Sequence, residues 1–304
     1  MRVIPCKNEE DWLEQRRQGI GASEAAAILG ASPWASALSV WARKLGLDDD
    51  AAGDAELMEW GHELEPVIAA KFACVTGYPL NDPGRYTIMV DDTRDWLRCT
   101  LDRVIATPDS PDGPGVLEIK TAGAQFLREW EDTGIPWHYL VQVQHQLAVT
   151  GYKWGEVAVL IGGQRFRHAR VERDDMLIAQ IVAAEEAFWT NHVLAQVPPS
   201  PDGTPATREL LARLYPQPAP GRPPVVLPPE AADWDQARVE ASAEIDRWMA
   251  QKTEAENRLK AAIGDAPAGL VPGGVVYAWT TQTRKAYSVA ESSARVLRRK
   301  EPKA

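Results

Sequence analysis

The chain has 304 residues, 45% hydrophobic and 25% charged, the balance of an ordinary folded protein rather than of a disordered or membrane chain. Its net charge of −10 argues against nonspecific coating of nucleic acid, which depends on Lys and Arg displacing counterions from phosphates, but leaves room for a basic groove around a carboxylate centre. No run approaches the roughly 20 apolar residues of a membrane helix, the N-terminus lacks the apolar core of a secretory signal, and Cys6, Cys74 and Cys99 lack CxxC spacing, so the expectation is a cytoplasmic protein without membrane partner, disulfide or zinc site, its cysteines small buried residues.

The length favours one main domain plus an appendage. Glu9 to Gln18 reads as a helix, and in GIGASEAAAILG the serine, Ser23, stands where an N-cap would, before an alanine-rich run. A second helix is expected over 33–46, starting at Ser32-Pro33, then an acidic small-residue loop DDDAAGD at 48–54, then a strong helix from Ala55 to about Thr76. Three strand-like runs follow, Tyr86 to Val90, Leu97 to Ile105 and Val116 to Lys120, with the turn-rich TPDSPDGPG before the last, and together they suggest an antiparallel meander. A helix over Trp137 to Thr150, strands near 156–161 and 164–171, and a helix from Asp174 to Ala195 complete a mixed α/β pattern, a sheet flanked by helices.

Clustered prolines make 198–228 an extended linker, so the main domain is expected over 1–197 and a C-terminal extension over 229–304. In that extension Trp234, Ala241, Ile245, Trp248, Leu259 and Ile263 recur on one stripe of a helix of about 35 residues, roughly 50 Å long. Such a helix either packs on its own domain or serves as a partner-binding arm; the residues leave both open.

In LEIK, Glu118 and Lys120 are two apart and project from one strand face. Asp102 interrupts the apolar run LRCTLDRVI, where a lone carboxylate must be paired, protonated or bound to a cation. Glu65 shares a helical stripe with Met58, Ile68, Ala69 and Phe72, which points it toward the sheet. Carboxylates that converge suit an all-oxygen Mg²⁺ or Mn²⁺ site, beside which a lysine can orient or deprotonate an attacking water. Tyr139, Gln142 and Gln146 share one face of a helix, which alone reads first as a solvated stripe.

The ordered set RRQGIGAS, WGHELEP, LDRV, LEIK and YLVQVQ resembles the YqaJ-like phage recombinase nucleases, relatives of lambda exonuclease in the PD-(D/E)XK superfamily, over about residues 10–195. The resemblance implies a restriction-endonuclease-like core and a Mg²⁺-dependent deoxyribonuclease, with Mn²⁺ as an alternative metal, that resects linear double-stranded DNA from an end for recombination. By position it implies Glu65, Asp102, Glu118 and Lys120 as the catalytic set, completed by Tyr139 and Gln142. The metal ligands it implies are Asp102, Glu118, the Ile119 carbonyl and Glu65 through water. Arg16 and Ser23 match residues placed against a substrate phosphate. It further implies a ring-shaped homotrimer and a single-strand annealing protein as partner; the rivals are an endonuclease on the same core and a noncatalytic DNA-end binding module. Leu101 and Arg103 replace the proline and glycine usual around the aspartate, which puts loop shape in doubt.

Overall fold

The computed structural model describes residues 1–48, 55–107, 110–132, 134–286, 288, 291 and 294–300. All but the first residue of the acidic loop at 48–54, and two residues of the turn TPDSPDGPG, lie outside them. The described residues divide into a unit over Met1–Pro216 and a second over Gln217–Ala304, and none of their helices is long and apolar enough to cross a membrane.

The first unit runs β1 (Arg2–Pro5), α1 (Glu9–Arg17), α2 (Ala22–Ile28), α3 (Ala37–Lys44), α4 (Ala55–Thr76), β2 (Leu80–Asn81), β3 (Thr87–Val90), β4 (Arg98–Cys99), β5 (Arg103–Ile105), β6 (Gly115–Ala122), α5 (Leu127–Asp132), α6 (Trp137–Thr150), β7 (Trp154–Ile161), β8 (Arg165–Glu172), α7 (Asp175–Phe188) and α8 (Pro205–Leu214). Strands β2-β5-β6-β7-β8 form the main sheet, with β6 and β7 parallel and the other pairs antiparallel. Parallel neighbours need a long crossover, which α5 and α6 supply. The alternation along β6 then sorts its residues. Leu117 and Ile119 join Ile68 and Phe72 of α4 in one core, while Val116 packs with Val143 and Leu147 of α6 in another.

The expected meander is corrected. Leu97 to Ile105 is not one strand: β4 pairs with β3 in a separate sheet β1-β3-β4, and only β5 pairs with β6. The register Arg103↔Leu117, continued by two residues, would set Leu101 opposite Ile119. At that step the Asp102 carboxylate Oδ2 accepts the Ile119 N–H at 2.7 Å, so a side chain takes the place of a backbone acceptor and the chain leaves the sheet.

Other boundaries shift for local reasons. Helix α2 starts from Gly21, whose N–H is accepted by the Glu24 carboxylate at 2.8 Å; Ser23 is inside the helix, not its cap. Helix α3 starts at Ser36, whose hydroxyl accepts the Ser39 N–H, while Ser32 Oγ accepts the amides of Trp34 and Ala35 in the preceding loop. The segment read as linker contains α8, with Pro205 at its first turn and Thr204 as cap. Leu210 of α8 is buried with Leu38 and Trp41 of α3, and Arg213 grips Asp48 through two hydrogen bonds of 3.0 and 2.6 Å. The first unit therefore extends past residue 197, to Pro216. Among the cysteines only Cys99 is buried; Cys74 is exposed, and all three are free thiols.

In the second unit α9 (Ala231–Ile263) is followed by an antiparallel hairpin, β9 (Ala268–Leu270) and β10 (Val276–Ala278). Trp234, Ile245 and Trp248 of α9 are exposed.

Candidate active site

Glu118 is buried, and the face of β6 that carries it turns toward α6. Its Oε1 accepts from Gln142 Nε2 at 2.6 Å and from Lys120 Nζ at 2.5 Å, and its Oε2 accepts from Gln146 Nε2 at 2.6 Å. The polar stripe on α6 is therefore not a solvated face: Gln146 is fully buried against Glu118. Lys120 Nζ also lies 5.1 Å from the Tyr139 ring centre. Burial works against its charge, but Glu118 and Asp102 outweigh that and hold the Lys120 pKa above the ordinary lysine value.

Asp102 stands beside this pair. Burial, then repulsion from Glu118 and Glu65, raise its carboxyl well above the usual carboxylate range against the opposing pull of Lys120 and the Ile119 N–H. Glu65 of α4 is part-buried, and Arg103 Nη1 donates to its Oε1 at 2.5 Å and also to the Asp102 carbonyl. Ile68, Ala69 and Phe72 of its stripe are buried as expected, whereas Met58 is exposed. Arg103, read in the sequence only as a departure, thus ties Glu65 to the backbone of Asp102.

One cavity of about 320 Å³ is lined by Glu65, Asp102, Glu118 and Gln142 together with Arg16, Ser23 and Trp12, a volume within the range of small-ligand sites. Arg16 Nη2 donates to Ser23 Oγ at 3.2 Å, and its guanidinium stacks 4.6 Å from the Trp12 ring centre. Behind them Glu24 and Lys44 form a buried ion pair of 2.6 Å, and Lys44 Nζ also donates to the Arg16 carbonyl at 2.7 Å. Against its burial, Lys44 and Arg16 bring the Glu24 pKa down to about 2, and burial brings Lys44 down to about 8 despite Glu24. Glycine is required at position 19, because a Cβ there would meet the Trp96 carbonyl at 2.5 Å, a clash that backbone cannot relieve.

A second buried pair fixes α6. His145 Nδ1 is 2.6 Å from Glu185 Oε1 of α7 and Nε2 is 2.8 Å from the Arg98 carbonyl. Burial opposes its charge, but Glu185 and the two acceptors raise its pKa, and an imidazolium donates to both. This strut holds α6 where Gln142 and Gln146 meet Glu118.

The side chains named from the sequence are accordingly brought into one region, with Glu65 tied to Asp102 through Arg103, and Arg16 and Ser23 lining the same cavity. Sequence reasoning passed over Gln146 as a site residue, although its spacing of four from Gln142 was the available signal. Among the described residues no three His, Cys, Asp or Glu side chains are grouped so as to hold a metal ion by themselves. Asp102 and Glu118 nevertheless fit a divalent cation: their repulsion is what a cation would relieve, and oxygen-only donors suit Mg²⁺ or Mn²⁺. Two carboxylates leave the remaining positions to a backbone carbonyl and water.

A family model described as the YqaJ-like viral recombinase domain matches residues 11–153. The chain is 33% identical over 274 residues to "Uncharacterized protein YqaJ" of Bacillus subtilis (strain 168), covering 88% of this chain and 83% of that protein. Its fold is similar to that of an alkaline exonuclease (LHK-Exo) from Laribacter hongkongensis, with a TM-score of 0.50 and 25% identity over 62% of this chain and 94% of that one. The complex of LHK-Exo with dAMP aligns with a TM-score of 0.51 at 25% identity, over 67% and 96%. These likenesses agree with a restriction-endonuclease-like core, and by its sequence the chain belongs to the YqaJ-like viral recombinase domain family.

Proposed function

We propose that the protein is a phage-type nuclease that hydrolyses phosphodiester bonds of DNA with Mg²⁺ or Mn²⁺, resecting linear double-stranded DNA from an end for recombination. The observation that carries this reading is the opening of Asp102 and Glu118 onto the same cavity as Arg16 and Ser23, with Lys120 held on Glu118. The likeness to an alkaline exonuclease supports it.

In this reading Asp102, Glu118 and the Ile119 carbonyl hold the metal, with Glu65 joining through water, and the cation supplies Lewis-acid neutralisation of phosphate charge. Lys120, held on Glu118, orients or deprotonates the attacking water. Gln142 and Gln146 fix the orientation of Glu118, and Tyr139 shields Lys120. Arg16 and Ser23 seat a phosphate of the substrate. Arg16→Ala is expected to lower kcat/KM on linear duplex by about 10- to 100-fold, the worth of a charge-assisted hydrogen bond to phosphate, measured by nucleotide release at limiting DNA. A homotrimeric ring and a single-strand annealing partner belong to the same proposal and rest on family resemblance.

The test is incubation of the full chain with linear duplex and covalently closed circles in Mg²⁺, Mn²⁺ or EDTA. Metal-dependent loss of the linear DNA alone is the expected result. Cutting of circles would replace the exonuclease by an endonuclease, and binding without cutting would favour a DNA-end binding module.

A further inference from the structure

Outward from Lys120 and Tyr139 stands a set of rings, Trp130, Trp34 and His138, to which the proposed reaction gives no role. The Trp130 and Tyr139 rings stack at 5.6 Å with planes 27° apart, and Tyr139 is followed by Trp34 at 6.0 Å and 34°. Trp130, at one end, is buried, while Trp34, at the other, leaves 55% of its surface exposed. His138 meets Trp34 edge to face at 4.8 Å, and its Nε2 is buried without a hydrogen-bond partner among the described residues. The loop is held as well: Pro33 restricts the backbone before Trp34, and Ser32 Oγ accepts the Trp34 N–H at 3.2 Å.

What sets Trp34 apart from other exposed indoles is that it lies next to a ring pair that is already stacked, and aromatic faces take a further flat group in offset-stacked geometry. With Lys120 Nζ 5.1 Å from the Tyr139 ring and Trp34 the next ring outward, the platform is one ring removed from the catalytic lysine. A base attached to DNA whose backbone crosses the site is the flat group at that range.

We propose that Trp34, backed by Tyr139, Trp130 and His138, is a nucleobase-stacking subsite for a nucleotide flanking the linkage that is cut. The subsite rests on the nuclease reading, because it takes Lys120 as marking the scissile phosphate. Stacking tolerates any base, since every base has a π-face, so the subsite positions the strand without reading its sequence.

The experiment measures the affinity of the full chain for end-labelled linear duplexes in EDTA, by fluorescence anisotropy, and steady-state cleavage in Mg²⁺. Single abasic residues are placed at successive positions from the end. Trp34→Ala is expected to weaken binding by roughly 10- to 100-fold, the worth of one base on one ring, with the loss in KM rather than kcat, and Trp34→Phe to recover most of it. Trp137, 51% exposed on the same helix as His138 and Tyr139, is outside the ring set, and Trp137→Ala is expected to bind as the wild type does. At one position an abasic residue should weaken the wild type while leaving Trp34→Ala where it was. Wild-type affinity in a folded Trp34→Ala variant, or abasic effects that simply add to the substitution at every position, would overturn the subsite. A wild type that cuts DNA alongside either result leaves the nuclease reading standing; a wild type that neither binds nor cuts removes that reading first.

Discussion

Asp102→Asn is expected to lower DNA cleavage by about 1000-fold or more, roughly 4 kcal/mol at about 1.36 kcal/mol per decade, in a protein that folds at least as well as the wild type. Asparagine is the informative choice because its carbonyl still accepts the Ile119 N–H that Asp102 Oδ2 accepts at 2.7 Å. Alanine would leave that amide unpaired at a cost of about 1–3 kcal/mol and mix folding with catalysis. What asparagine removes is the charge, which is held in a buried place against Glu118 and Glu65. The thermal midpoint without metal should therefore be unchanged or higher, while cleavage is lost. Lys120→Ala should also abolish cleavage, since the attacking water would lose the amine held beside it on Glu118. Activity within tenfold of wild type in Asp102→Asn, in protein freed of contaminating nuclease, would contradict the site assignment.

The second large effect is on stability. Glu24→Gln leaves Lys44 buried opposite a neutral group, where the two now lie 2.6 Å apart with almost no exposed side-chain surface. Breaking one side of such a pair costs about 3–5 kcal/mol, and a fall in thermal midpoint of roughly 10 °C follows for a unit of this size. Replacing both, as Glu24→Gln with Lys44→Met, should recover much of it, because a buried pair is often matched by apolar packing. The same pair sets an acid dependence. Glu24 falls from 4.5 unfolded to about 2 folded, so its contribution is complete above pH 4.5 and is lost as pH falls toward 2. Glu24→Gln should flatten that part of the stability profile measured by denaturant titration between pH 5 and 2; an unchanged profile would show that the pair does not carry it.

Most of the main unit was legible because its elements are periodic. The apolar stripe of α4 showed which side it turns to the sheet, and the alternation in LEIK put Glu118 and Lys120 on one strand face; that this face meets α6 is seen only in the structure. Three things were hidden, each for a physical reason. The break at Asp102 is made by a tertiary hydrogen bond to Ile119, which no local pattern in LRCTLDRVI records. Helix α8 lies in a proline-rich stretch where Pro205 reads as a breaker yet sits in the first turn, the one helical position where proline fits. Arg103 was seen only as a departure because its partner, Glu65, is 38 residues away. For the candidate site, the acidic and basic residues were visible as types at spacings, but the burial of Gln146 and the ring stack ending at Trp34 depend on how α6 packs.

If Asp102 and Glu118 form a metal-dependent cutting centre for DNA, both the cation and the Asp102 carboxylate are needed for cleavage. The most direct measurement is release of nucleotides from a linear duplex by the purified wild-type chain, with Mg²⁺ and with EDTA, beside Asp102→Asn under the same conditions. Release is expected in Mg²⁺ from the wild type alone, with none in EDTA and none from the variant. Equal release in EDTA, or none from the wild type in either Mg²⁺ or Mn²⁺, would contradict it.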